Sequence, residues 1–479
     1  MSDTTEGYAL PVDLVPTPTR EYNLVSAHEG AIRQTFRPAI TFSATDISDL
    51  TTEAPQALPL PLPLPKPLPL PFDFSSRMLV FKQDPTVTEI GVRKVLVRGL
   101  TTTGPRNSRI QLQGVAPVAP NSMNDFIQSP GTEGFDAVHT FAVVQQTLVM
   151  AQRAAGATIK WQWNSTTNTD PINVSPRAGI TMNAFYSRNE KALKFFQFAK
   201  PGAPAPAPMI FTCRSLDIVA HETGHAILDS LKPGWIGASS NPQTGALHEA
   251  FGDLTAIFLA LSQLDQAEAL IVLTKGNLHN KNFLSSMAEE FGPALGRDNG
   301  LRNADNDKKM SEVSSEVHDL SQVFTGGIYD VLADMFAHDR NLSKEDEALT
   351  LVQTGRYLYS LLLRGIQGAP AANATFANVV NQMLTITAAD GKPVEYRNFL
   401  RNHFTVRQVV VSPTPLTQDF KGKAELMAVN HPHLTVQASG LQDRSRCCGT
   451  MRLREYQTDE SMFEEELKML RKGIGGTSK

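Results

Sequence analysis

Alternating apolar and polar positions dominate the chain between residues 77 and 114. Valine, leucine and isoleucine recur at every second position in short runs, and glycine, proline and asparagine separate these runs. This period-two pattern predicts β-strands. Two similar runs follow later, so that the predicted strands are MLVFKQ (78–83), VRKVLVRGL (92–100), RIQLQG (109–114), ATIKWQWNS (157–165) and GITMNAFYS (179–187).

The spacing of apolar residues changes to three and four along residues 135–155, which predicts a long helix. After Pro208 the same helical spacing dominates the sequence. The helices predicted there cover residues 215–231, 246–263, about 316–338, about 344–365 and 373–385. Because the strands come mostly first and the helices mostly later, the order of elements predicts an α+β fold.

Composition divides the chain into four segments. Residues 1–75 are rich in threonine, proline, serine and aspartate, and we expect a disordered or pro-segment-like tail. Within it, residues 57–72 alternate leucine with proline, which favours a polyproline II spacer; a ligand for a proline-binding module is the alternative. We expect a β-rich N-terminal lobe over 76–232, a mainly helical C-terminal lobe over 233–439 and a charged tail over 440–479.

Charge and cysteine content narrow the class of protein. The formal net charge is -4, and the scattered lysines and arginines argue against a nucleic-acid partner. The three cysteines, Cys213, Cys447 and Cys448, do not form a disulfide framework. The N-terminus lacks a secretory signal, and alternating proline forbids a membrane helix in 57–72. We therefore expect no membrane span, and either a cytoplasmic protein or export without a classical signal peptide.

The motif HETGH, residues 221–225, indicates a zinc site. Helical residues four apart differ by about 40° in direction and about 6 Å in rise, so the imidazoles of His221 and His225 can reach one ion. Zinc prefers about four ligands, with neutral imidazole among the favoured donors. Glu222 is placed at the rim, where it can act on a water molecule as a general base. The alternative is a pair of histidines on a solvated helix face.

A second helix, GALHEAFGDLTAIFLAL (245–261), supplies the acidic ligand that the histidines need. We expect Glu249 to be the third ligand, and Asp253, one turn later, to accept the free N–H of a ligating imidazole. The apolar neighbours argue against an ordinary solvated acidic stripe. His248 is expected to point about 100° away and is not counted. Gly224, unfavourable inside a helix, is explained by a close approach to a neighbouring backbone.

These motifs resemble the thermolysin-like gluzincin metallopeptidases. HETGH is similar to their zinc helix and GALHEAFGD to their glutamate helix. Over roughly residues 135–400, three more segments match in the same order: MNAFYS, GLRNADN and EVHDLSQVFTGGIYDVLADMF. The resemblance implies that His318 stabilises an oxyanion. The residues that it implies for substrate binding are Asn183, Ala184, Ile218, Leu301 and Arg302.

The sequence departs from the family pattern at three places. The loop between the two helices lacks the family's oxyanion-binding tyrosine, and Trp235 in that loop donates differently. The carboxylate that orients the oxyanion histidine has no direct counterpart, and Glu312 and Glu316 are the candidates. Asp217 matches one calcium-ligand position, but Ala260 replaces an acidic ligand, which argues against the family's double calcium site.

The resemblance also implies a two-lobed zincin fold with an active-site cleft between the lobes, and one catalytic zinc ion. The activity it implies is hydrolysis of peptide bonds in protein or peptide substrates, with Glu222 as general base for a zinc-activated water and an apolar residue after the scissile bond. Two alternatives stay open. One is a non-catalytic zinc-binding scaffold or interaction protein, against which Glu222 argues. The other is an aminopeptidase of the same class, which needs an acidic anchor for the substrate amine.

Overall fold

The computed structural model describes residues 75–100, 104–236, 240–287 and 302–409. Within these ranges the chain is a mixture of α and β structure with a helical C-terminal part, as the predicted α+β class requires. The predictions for residues 1–74, for Leu301 and for the tail 440–479 lie outside the described residues. The boundary between 76–232 and 233–439 stays a prediction.

Short strands make up the β structure. The described strands are β1 (Ser76–Phe81), β2 (Val92–Val97), β3 (Ile110–Leu112), β4 (Ile172–Ser175), β5 (Ala184–Ser187), β6 (Ala192–Phe195), β7 (Gln197–Ala199), β8 (Met209–Phe211), β9 (Ser286–Met287) and β10 (Arg302–Asn303). The first three agree with the predicted runs, and β5 is the last part of the run predicted over 179–187. The alternation in β4 and β6–β8 is too short for the sequence pattern to mark those strands.

One mixed sheet has the strand order β3-β4-β6-β5. Strands β3, β4 and β6 run parallel, and β5 is antiparallel to β6, with Ala184 opposite Phe195. Among the described strands, β5 therefore forms an edge of this sheet. The other described strands form three antiparallel pairs, β1 with β2, β7 with β8, and β9 with β10.

The strand predicted over 157–165 is wrong. The backbone N–H of Asn164 donates to the Trp161 carbonyl at 2.9 Å, and the Asn164 side chain accepts from the Trp161 N–H at 3.1 Å, which closes a turn. The Trp161 indole donates to the Arg109 carbonyl at 2.8 Å and stacks on Trp163. The alternating tryptophans therefore reflect a turn that buries Trp161, not a strand in a sheet.

Eight long helices lie in the described ranges: α1 (Glu133–Ala155), α2 (Leu216–Leu231), α3 (Pro242–Leu261), α4 (Leu264–Thr274), α5 (Val317–Asp339), α6 (Glu347–Gly368), α7 (Phe376–Ala389) and α8 (Val394–Val406). Two single 3-10 turns, Thr212–Arg214 and Pro233–Trp235, flank α2. The helix predicted over 135–155 and the five predicted after residue 208 are present. Helices α4 and α8 were not among the predictions.

Helices α2 and α3 cross at close range, and two glycines make this possible. A Cβ atom on Gly224 would lie 3.1 Å from the Thr255 hydroxyl oxygen and 3.2 Å from the Gly252 Cα atom. The close approach expected from Gly224 is therefore present, and its partner is α3. The crossing brings the residues of HETGH against the residues that follow His248.

Helix α3 is apolar and buried along most of its length. No single described helix is long and apolar enough to cross a membrane, and α3 and α4 meet that criterion only when they are taken together across a bend of 93°.

Candidate metal centre

Helix α2 begins and ends close to where the sequence predicts. Ser215 is the N-cap residue, although its side chain makes no capping hydrogen bond, and Asp217 lies in the first turn. The helix ends at Leu231, before the Lys232-Pro233 step that stops it. His221 and His225 lie in the middle of this helix and are buried against α3.

Three side chains converge on one point at the α2–α3 crossing. The His221 Nε2 atom lies 3.5 Å from one Glu249 carboxylate oxygen, and the His225 Nε2 atom lies 3.5 Å from the other. All three ligand atoms lie within 4.8 Å of one another. The group can therefore hold a metal ion, and the alternative of histidines and acids on solvated helix faces is wrong, because all three residues are buried.

The donor set fits a divalent transition metal. Neither Nε2 atom has a hydrogen-bond partner among the described residues, although burial of such an atom without a partner is costly. An ion between the two rings would satisfy both lone pairs. Two imidazoles and one carboxylate provide three protein ligands, which is the number that leaves a coordination position open.

The electrostatics of the group also suit metal binding. Burial holds the pKa of His225 well below its usual value, so this ring is neutral. Burial raises the pKa of Glu249, but the neighbouring imidazoles outweigh it, His318 most of all, and hold the pKa well below the usual value. Without a metal, burial lowers the pKa of His221, whereas the hydrogen bond to Asp253 and the nearby carboxylate of Glu249 raise it to about 9 overall. A metal ion has to displace that proton.

Asp253 lies behind His221, where the sequence places it. Its Oδ1 atom accepts a hydrogen bond from His221 Nδ1 at 2.8 Å and another from the Arg302 guanidinium at 2.8 Å. The first contact directs the Nε2 lone pair of His221 toward Glu249. The second joins β10 to the site, so that Arg302 is fixed beside the metal group by the same carboxylate.

His318, the second residue of α5, approaches the metal group from the other side. Its Nε2 atom lies 3.4 Å from a Glu249 oxygen, and its side chain keeps some exposure to solvent. The Nδ1 atom lies 2.6 Å from Glu316, which also caps α5 by accepting from the Asp319 N–H at 2.9 Å. Of the two carboxylates suggested by the sequence, Glu316 therefore orients His318, while Glu312 accepts from the Lys309 N–H instead.

Glu222 is the one acid of the site without a fixed partner. It is completely buried, and neither carboxylate oxygen has a hydrogen-bond partner among the described residues. Burial raises its pKa to about 8, and the negative charge of Glu249 adds to this, whereas the charge of His221 opposes it. A carboxylate with a raised pKa and free oxygens is suited to accept a proton and release it again.

The residues suggested for substrate binding lie on or near α2. Asn183 and Ala184 lie at the start of edge strand β5, where the Ala184 N–H donates to the Asn183 side chain at 2.8 Å. Ile218 lies one helical turn before His221 and is half-buried. Arg302 is in place through Asp253, and Leu301 lies outside the described residues.

Two residues that the sequence did not count among the metal ligands make other contacts. His248 is not in the ligand group, but its Nδ1 atom lies 2.9 Å from Nδ1 of His225. The rotation of about 100° away from Glu249 moves it out of the ligand position, and the close helix crossing brings it against the back of the neighbouring ring. Trp235 is buried and its indole N–H donates to the Pro370 carbonyl at 2.9 Å, so it does not replace the missing tyrosine.

A second group in the described residues satisfies the same distance criterion and consists of His279, Asp305 and Asp330. Asp330 already accepts a hydrogen bond from Arg407 at 2.6 Å, and a cation so close opposes metal binding. Asp217, the residue matched to a calcium position, belongs to neither group. Ala260, which stands where the resemblance leads to an acidic ligand, is packed in the core.

No protein-family model matches this chain, and no curated protein matches it significantly in sequence. Support for a function therefore comes from the geometry and chemistry of the metal centre.

Proposed function

We propose that the protein is a zinc-dependent metalloendopeptidase with a two-lobed zincin arrangement. The observation that carries this proposal is the convergence of His221, His225 and Glu249 on one point beside the buried carboxylate of Glu222. A structural zinc site uses four protein ligands and has no need of a base, whereas three ligands and an adjacent carboxylate are what a hydrolytic site needs.

A zinc ion held by the three ligands would act as a Lewis acid that polarises the scissile carbonyl and lowers the pKa of a water molecule. Glu222 accepts the proton of the attacking water and then delivers it to the departing amine. Burial makes the Glu222 carboxylate a stronger base than one in water, which favours the first half of this transfer, the uptake of the water proton.

Two hydrogen-bond donors, His318 and Arg302, lie beside the metal group, where negative charge would develop on the carbonyl oxygen. The imidazole of His318 is held by Glu316 at 2.6 Å with its Nε2 atom directed at the metal group. Arg302 is fixed by Asp253 and keeps part of its surface exposed. Loss of one such donor costs about 100- to 1000-fold in rate in other hydrolases.

An extended substrate would add to the outer edge of β5, whose four residues are buried in the substrate-free chain. A peptide that adds to a sheet edge is held by its backbone and is positioned without regard to most of its side chains. The Ala184 N–H would exchange its bond with the Asn183 side chain for one with the substrate carbonyl. Ile218, half-buried and one turn before the ligands, favours an apolar side chain after the scissile bond.

Glu222→Gln tests the proposal, with Glu312→Gln as the matched control. Glu312 is an exposed carboxylate paired with Lys309 outside the site. We expect wild type and both variants to bind one zinc ion, and only Glu222→Gln to lose cleavage of a peptide blocked at both ends. Equal cleavage by wild type and Glu222→Gln would reject Glu222 as the base.

The same assay separates the alternatives. Zinc binding without cleavage in any of the three proteins would favour a non-catalytic scaffold. Cleavage confined to peptides with a free N-terminus would favour an aminopeptidase, because that class anchors the substrate amine. Cleavage of blocked peptides is the result that an endopeptidase gives.

A further inference from the structure

The two histidine ligands are supported from behind in different ways. The Nδ1 atom of His221 faces a carboxylate oxygen of Asp253 at 2.8 Å. The Nδ1 atom of His225 faces the Nδ1 atom of another histidine, His248, at 2.9 Å. His248 is completely buried, and its ring is tilted by 36° against that of His225 with the ring centroids 5.1 Å apart.

The contact between two ring nitrogens restricts where the protons can be. Because the Nε2 atom of His225 belongs to the metal group, a metal-bound His225 carries its proton on Nδ1. That N–H can donate only to a nitrogen with a free lone pair. His248 must therefore present an unprotonated Nδ1 atom and carry its own proton on Nε2, an atom without a hydrogen-bond partner among the described residues.

We propose that His248 is a positioning residue for the metal centre, acting as the acceptor that fixes the tautomer and ring orientation of His225. This inference rests on the metal site of the proposed function, but not on the peptidase activity. The 2.9 Å contact between the two buried Nδ1 atoms supports it, because that distance is within hydrogen-bond range and aligns the His248 lone pair with the ring of a metal-binding histidine.

A neutral acceptor also differs from a carboxylate in its effect on charge. Glu222, Glu249 and Asp253 already place three carboxyl groups around the site, all of them buried. A fourth buried anion behind His225 would add to their repulsion, whereas a neutral imidazole provides the lone pair without a charge. The chemistry of the position therefore favours a neutral acceptor.

The test compares His248→Leu with His248→Asn in the full-length chain. Leucine removes the acceptor, whereas an asparagine side chain can present its amide oxygen close to the place of the Nδ1 atom. We expect the zinc dissociation constant of His248→Leu to rise by about 10- to 100-fold, with most of the affinity restored in His248→Asn. His139→Leu is the matched control, because His139 is equally buried but lies on α1, stacked on Phe135.

Zinc affinity is measured by competition with a chelator, and the melting temperature of each metal-free protein is measured alongside. Wild-type affinity in His248→Leu would overturn the inference, as would an equal loss of affinity in His139→Leu. If wild type binds zinc and cleaves no peptide, the proposed peptidase function fails while this inference is still decided by the affinities.

A spectroscopic measurement decides the inference even if a variant does not fold. In zinc-loaded wild-type protein labelled with nitrogen-15 at histidine, we expect His225 to carry its proton on Nδ1 and His248 to carry its proton on Nε2. A proton on Nδ1 of His248 would overturn the inference, because that nitrogen could then not accept the hydrogen bond.

Discussion

Gly252→Ala tests how tightly the α2–α3 crossing holds the first ligand. A Cβ atom at this position would lie 2.7 Å from Cε1 and Nδ1 of His221, whereas ordinary contacts begin at 3.4 Å, so the ring has to retreat by about 0.7 Å. Metal–ligand distances tolerate changes of only about 0.2 Å. We therefore expect the substitution to weaken zinc binding.

The size of the effect follows from the crowding. Added methyl groups in packed interiors cost about 1–3 kcal/mol, which corresponds to about 5- to 150-fold in a dissociation constant. In the metal-free protein the His221 ring can turn away from the new methyl group, and alanine in a helix gains up to about 1 kcal/mol over glycine. The substitution should therefore reduce the free energy of zinc binding by more than it reduces the free energy of unfolding of the metal-free protein.

The assay is zinc affinity by competition with a chelator, with Gly365→Ala as the control. A Cβ atom on Gly365 would lie 2.6 Å from Met383 Cγ, so the crowding is similar but lies between α6 and α7. We expect this control to keep wild-type zinc affinity. The reasoning would be refuted if Gly252→Ala bound zinc as tightly as wild type, or if the control lost as much affinity.

Three further outcomes are expected. Glu316→Gln removes the charge beside His318 and should lower kcat/KM by less than about 100-fold at unchanged zinc content; unchanged kcat/KM would contradict its orienting role. Burial lowers the pKa of His403, but bonds to Asp330 and Asp334 raise it to about 9. The protonated His403 ring therefore stabilises the folded chain by at most about 3 kcal/mol. This stabilisation is fully present below about pH 6.5 and is lost as the pH rises through 9. The free energy of unfolding of wild type and His403→Gln, measured by denaturant titration across this pH range, tests this prediction. The same dependence on pH in both proteins would contradict it. Chelation should lower the melting temperature, since an ion that binds only the folded chain stabilises it; a melting temperature independent of zinc would exclude such binding.

The sequence indicated the helices of the site because strong local patterns mark them. HETGH and the apolar spacing around Glu249 specify two helices, and Gly224 marks the place where they approach each other. The strand predicted over 157–165 shows the limit of such patterns. Alternating tryptophans look the same in a strand and in a turn that buries one of them, since the distinction depends on partners distant in the chain.

The role of His248 could not be found from periodicity alone. Its direction relative to Glu249 follows from helix geometry, but its contact with His225 depends on the distance and angle at which α2 and α3 cross. The second glycine of the crossing, Gly252, was the available signal: a glycine one residue before Asp253 in an apolar helix indicates that another group lies against the backbone there.

Zinc K-edge X-ray absorption of the full-length chain, loaded with one equivalent of zinc, tests the central claim most directly. We expect two imidazole nitrogens and oxygen ligands from Glu249 and one water molecule, at about 2.0–2.2 Å. The number of imidazoles should fall from two to one in His225→Ala. Sulfur ligands, or an unchanged spectrum in His225→Ala, would contradict a metal centre at the crossing of α2 and α3.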